Sequence, residues 1–231
     1  MKPILYVLPG LDGTGDLMQY PARYLEEIFD VHIVSYPNDT KLTYLELADL
    51  IEGILPPKKK FHLLGESYAG PLCIELALRK KSQLKSLVLS ASFIDNPMYG
   101  SAIFKGANSL FPLSIIPKSL LHRIFFSDRK TDELSKLLDN ILKTVNYDVI
   151  KHRIQNVLTH KINPDIGTID IPVLYLCGKS DLLITRHNAD RIKNNLPQAK
   201  IVNISAGHMV LQTNENECQK ALFDFYDTVT F

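Results

Sequence analysis

Short apolar runs rich in branched residues alternate with amphipathic stretches through the first ninety residues. No other feature of the chain limits its fold as tightly. PILYVL (3–8) reads as a buried strand, and VHIVSY (31–36), FHLLG (61–65) and LKSLVLSA (84–91) read as further strands. Between them, residues 16–29, 42–55 and 68–81 carry apolar side chains at helical spacing, the second stretch stopping at Pro56-Pro57. Strands buried on both faces, each followed by a helix, form right-handed βαβ units and a parallel sheet. The alternation returns late in the chain. IPVLYLCG (171–178) and KIVNIS (200–205) read as strands, with helices over 185–196 and 214–229, giving an α/β fold of about six parallel strands.

Residues 93–165 break the pattern with helical stretches and no convincing strand. A structureless loop of that length does not belong in a compact domain, so the segment reads as an inserted all-helical cap. The expected organisation is a core of residues 1–92 and 166–231 with a cap of residues 93–165. With 231 residues, 45% of them hydrophobic, such a chain can bury a full core without staples.

Several function classes drop out. Net charge is +1 and no basic stretch is interleaved with aromatics, which leaves no footprint for nucleic acid. No apolar run approaches the roughly 20 residues of a membrane span. Cys73, Cys177 and Cys218 are far apart and read as reduced thiols. The opening run MKPILYVLPG is too short for a secretory h-region and breaks at Pro9-Gly10, so the expected location is cytoplasmic. No metal motif or cofactor motif is apparent. GLDGTG (10–15) has the spacing G-x-x-G-x-G, which is neither a dinucleotide fingerprint nor a P-loop. Tyr147 and Lys151 match the Y-x-x-x-K of short-chain dehydrogenases, but they fall in the helical segment without the matching nucleotide loop.

The sharpest motif is HLLGESYAG (62–70). A strand ends at Gly65, Ser67 follows, and a helix begins at once, so Ser67 would be lifted clear on a tight strand-to-helix turn. The fifth position of G-x-S-x-G holds Ala69, still small enough for the turn. The plainer reading of Ser67 is a helix N-cap. A serine nucleophile needs a base and a group to orient that base. In the order Ser, acid, His, Asp181 follows the strand ending at 176 and His208 follows the last strand. All three then gather at the carboxyl edge of the sheet. Asp95, after the strand that precedes the cap, is the alternative acid.

On these motifs, at 9–15, 65–70, 178–181 and 206–208, the chain resembles the α/β-hydrolase fold family, in a minimal version that starts at what would be the third strand. The resemblance implies a serine hydrolase acting on carboxylic esters or thioesters, with Ser67 as nucleophile, His208 as base and Asp181 as acid. It also implies an oxyanion hole from the backbone N–H groups of Leu11 and Tyr68. GESYAG occurs at the nucleophile of serine carboxypeptidases too, but those are larger and disulfide-bonded, and Glu66 reads here as an exposed or turn-stabilising residue. A catalytically silent binding protein of the same fold and an acyltransferase are the other readings.

The cap is rich in apolar residues: Phe104, Leu110, Phe111, Ile115 and Ile116, then Leu120, Leu121, Phe125 and Phe126. Most would bury the cap on the core and some would line an acyl pocket. The segment carries about four more basic than acidic residues, among them Arg123, Arg129, Lys130, Lys151 and Arg153. That surplus reads as a solvated face or as attraction for an acyl group carried on CoA or an acyl-carrier protein, as in pimeloyl-carrier methyl esterases of this family.

Overall fold

The computed structural model describes residues 2–97 and 117–229. Six strands form one sheet, all parallel: β1 (Ile4–Leu8), β2 (Asp30–Ile33), β3 (Phe61–Glu66), β4 (Leu84–Ser90), β5 (Val173–Gly178) and β6 (Lys200–Ile204). Their order is β2-β1-β3-β4-β5-β6. The chain moves outward from β1 to β2, then returns across β1 to β3. The loops after β1 and β3 therefore leave on opposite sides and open a crevice at the carboxyl edge, where open α/β sheets place their sites.

Side chains of each strand alternate between two apolar layers, as the period of two requires. Tyr6, Leu8, Leu63, Leu87, Leu89 and Tyr175 face the layer closed by α2 (Tyr44–Ile54), α3 (Ala69–Arg79) and α7 (His187–Asn195). Leu5, Val7, Leu64, Val88, Leu174 and Leu176 face the layer closed by α1 (Gln19–Leu25) and α9 (Glu215–Tyr226). Each fully buried aliphatic side chain contributes about 1.5–3 kcal/mol. Helix α2 starts in a capping box, where Thr43 accepts from the Glu46 N–H and Glu46 accepts from the Thr43 N–H.

The strand expected over 31–36 spans Asp30–Ile33, and two helical stretches also differ from the sequence reading. The expected helix over 16–29 starts as a 3-10 turn at Asp16–Met18 and its α-helical part ends at Leu25. A short helix α8 (Val210–Thr213), unforeseen in the sequence, precedes α9. Between β4 and β5 the described chain is helical: α4 (Lys118–Phe126), α5 (Asp132–Thr144) and α6 (Tyr147–Thr159). These helices fit a cap. Phe126, Leu134, Leu138 and Ile141 join the α1/α9 layer, and Val157 joins the other. Phe104, Leu110, Phe111, Ile115 and Ile116 lie outside the described residues. None of the described helices is long and apolar enough to cross a membrane.

Candidate active site

Strand β3 passes into α3 through a turn in which Ser67 has φ +51°, a left-handed conformation that a non-glycine residue adopts only when its surroundings hold it there. The surroundings do so. The Ser67 N–H donates to the Ser90 carbonyl at 2.9 Å, and the Ser67 carbonyl accepts from the Gly70 N–H and the Ser92 hydroxyl. A Cβ on Gly65 would overlap the Cys73 sulfur and press on Ala69, and one on Gly70 would overlap Ser92 and the Phe93 backbone. Alanine is tolerated at 69, within the G-x-S-x-G frame, and the close approach falls on the next residue. Ser67 does not cap α3, since no side-chain cap bond is made there.

The Ser67 hydroxyl meets His208 instead. Its Oγ lies 2.9 Å from His208 Nε2, and His208 Nδ1 lies 2.9 Å from Asp181 Oδ2. A carboxylate only accepts, so Nδ1 carries the proton and Nε2 is left to accept from the serine hydroxyl. Asp181 is fixed on its other oxygen, where Oδ1 accepts from the N–H groups of Leu183 (2.8 Å) and Ile184 (2.9 Å). The His208 loop is pinned to α4 by the Met209 N–H donating to the Phe125 carbonyl at 2.9 Å. Burial alone would depress the His208 pKa. The Asp181 charge and hydrogen bond, aided by the Glu66 charge, outweigh it and raise the value above the ordinary one. The alternative acid, Asp95, faces elsewhere and pairs with Arg191.

Leu11 and Tyr68 border the same cavity as Ser67 and His208. Leu11 sits in the loop after β1, and Tyr68 leads into α3. Among the described residues no hydrogen bond engages either backbone N–H. The cavity measures about 460 Å³ and its wall is mostly apolar, with Leu17, Leu121, Phe125, Leu138, Ile154 and Met209 contributing. Of the cap residues expected to be apolar lining, Leu121 and Phe125 are there, Phe126 is fully buried in the core, and Leu120 is half-exposed.

Two polar residues depart from the sequence reading. Glu66 is buried, not exposed. Burial pushes its pKa up to about 7, against the opposing pull of His208 and a 3.0 Å hydrogen bond from Gln212. Arg153 does not belong to a solvated basic face. It is 4% exposed and donates to main-chain carbonyls of the loops after β1 and β2. Arg123, Arg129, Lys130 and Lys151 are exposed, as a solvated face requires. Cys73, Cys177 and Cys218 are free and buried.

A sequence model of the alpha/beta hydrolase fold matches residues 43–215. Phytyl ester synthase 2, chloroplastic, of Arabidopsis thaliana is 30% identical over 147 residues, 60% of this chain and 20% of that protein. Phytyl ester synthase 1, chloroplastic, of the same plant is 24% identical over 234 residues, 94% of this chain and 32% of that protein. The chain thus spans about a fifth to a third of the length of these relatives. Among solved structures, a hydrolase from Oleispira antarctica superposes with a TM-score of 0.84 at 14% identity, covering 99% of this chain and 92% of that one.

Proposed function

This chain belongs to the alpha/beta hydrolase fold family, and from that premise we propose that it is a serine hydrolase that cleaves carboxylic esters or thioesters through an acyl-enzyme on Ser67. The observation that carries the reading is the chain of two 2.9 Å contacts from Ser67 through His208 to Asp181, opening on an apolar cavity. His208 Nε2 takes the Ser67 proton as Oγ attacks the acyl carbonyl. Asp181 holds the tautomer and stabilises the imidazolium. The Leu11 and Tyr68 N–H groups receive the oxyanion, a donor of this kind being worth about 3–4 kcal/mol. His208 then gives its proton to the leaving alcohol or thiol, and water, activated by the same imidazole, releases the acid. The working division is a core of residues 1–92 and 166–231 under a helical cap of residues 93–165.

Mass spectrometry after brief mixing with a panel of p-nitrophenyl and acyl-thioester substrates tests this reading. The expected result is an acyl adduct on the peptide containing Ser67, absent from Ser67→Ala. Turnover without an adduct, or turnover retained in Ser67→Ala, would overturn it. A well-folded protein without turnover on any member would favour the binding-protein reading.

The phytyl ester synthases favour a second reading, in which an alcohol in place of water accepts the acyl group. Adding a long-chain alcohol to the thioester assay separates the two, because transfer produces a new ester while hydrolysis produces free acid only.

A further inference from the structure

Helix α6 touches both residues whose amides would form the oxyanion site, and it does so from outside the cavity. Arg153 Nη1 donates to the carbonyls of Leu11 (2.9 Å) and Asp12 (2.8 Å), and Nη2 donates to that of Pro37 (2.8 Å). Its guanidinium lies 5.4 Å from the centroid of the Tyr36 ring, whose hydroxyl donates to the Pro9 carbonyl at 2.9 Å. Three residues along the same face of α6, Asn156 Nδ2 donates to the Leu42 carbonyl (2.8 Å) and the Tyr68 hydroxyl (3.3 Å).

A buried guanidinium is costly unless its donors are satisfied. Among the described residues no carboxylate forms an ion pair with Arg153. The partners are main-chain oxygens of two loops, reached by a planar fork whose donors point in fixed directions. The peptide that carries the Leu11 N–H is held through its own carbonyl, Gly10 O, by the Gly13 N–H at 3.2 Å. The next two carbonyls are held by Arg153. Leu11 is thereby clamped on both sides and its N–H direction is set.

We propose that Arg153 is a positioning residue for the oxyanion site, holding the Leu11 and Asp12 carbonyls so that the Leu11 N–H points at the acyl carbonyl on Ser67. The proposal rests on the Ser67 reading above. It gives α6 a part in the chemistry beyond covering the cavity, because the loop after β1 presents its amide correctly only while α6 is docked.

The test compares Arg153→Met and Arg153→Lys with the wild type in three measurements: steady-state hydrolysis of a short p-nitrophenyl ester, affinity for an alkylboronic acid that mimics the tetrahedral adduct, and thermal stability. A misdirected donor lowers kcat and leaves ground-state binding alone. The expected result is a kcat loss of about 10- to 100-fold, since an ångström of misplacement can cost about 10²-fold. KM should stay within about threefold, and boronate affinity should fall in step with kcat. Lysine should restore only part, because one ammonium cannot reproduce the fork. If the methionine variant does not fold, the lysine variant carries the comparison. Folded variants that lose thermal stability but keep kcat and boronate affinity within twofold would overturn the proposal and leave the Ser67 reading intact. A wild type without Ser67-dependent turnover or boronate binding would overturn that reading and this inference with it.

Discussion

Replacing Asp181 with asparagine changes one atom's chemistry and almost nothing of its shape, and the hydrogen-bond arrangement decides which way the amide faces. Asp181 Oδ1 accepts two backbone N–H groups, from Leu183 and Ile184. An amide NH2 in that position would set donor against donor and leave two buried N–H groups unpaired, at about 1–3 kcal/mol each. The asparagine oxygen therefore stays on the backbone and its NH2 turns to His208 Nδ1. His208 must then accept at Nδ1 and carry its proton on Nε2, the nitrogen 2.9 Å from Ser67 Oγ. In that tautomer it cannot take the serine proton. The same change in a serine protease triad costs about 10⁴ in kcat, or about 5.4 kcal/mol of transition-state stabilisation. The expected outcome for Asp181→Asn is a loss of that order in p-nitrophenyl ester hydrolysis at neutral pH, with thermal stability nearly unchanged. Asp95→Asn, which disturbs the Arg191 pair and the bond from the Asn96 N–H but no contact of Ser67, His208 or Asp181, should stay within about threefold in kcat. Activity of Asp181→Asn within tenfold of wild type would refute the reasoning.

Other consequences follow from the same contacts. Protonated His208 cannot act as base, so kcat/KM should fall as pH drops through its pKa, which Asp181, with a smaller contribution from Glu66, holds above the ordinary ~6.5; Glu66, its own pKa pushed up to about 7, carries only part of its charge on that limb, so Glu66→Gln should move the limb slightly to lower pH, and a limb moved to higher pH would refute the coupling. Gly70→Ala drives a Cβ into the Phe93 backbone and should destabilise the fold by about 1–3 kcal/mol in urea titration, whereas an unchanged midpoint would mean the turn has slack. Ile154→Trp narrows the cavity and should abolish turnover of long acyl chains while sparing acetyl esters, and an unaltered chain-length profile would place the acyl group elsewhere.

The sheet was readable because each strand is a short run carrying branched apolar residues, even at the half-exposed edges β2 and β6, and helical stretches connect the strands. Ser67, Asp181 and His208 were readable for a related reason: each follows the end of a strand, and the parallel topology gathers those ends on one edge. What escaped the sequence depends on partners far along the chain. Glu66 ends a fully buried strand, and the residue that bonds its carboxylate, Gln212, lies 146 residues away. Arg153 reads as one more basic residue because its partners, up to 142 residues away, are main-chain carbonyls, which no residue type announces. Asp95 and Asp181 were equally placed after strands, and the pairing of Asp95 with Arg191 separates them. Helix α8 is only four residues long, about one helical turn, so no apolar period can repeat within it.

The central claim is that Ser67 is an activated nucleophile. Labelling with a fluorophosphonate probe, wild type beside Ser67→Ala, tests it most directly. The account predicts labelling of the wild type that disappears in Ser67→Ala and fades as His208 is protonated. A folded wild type that resists the probe, or labelling that persists in Ser67→Ala, would contradict it.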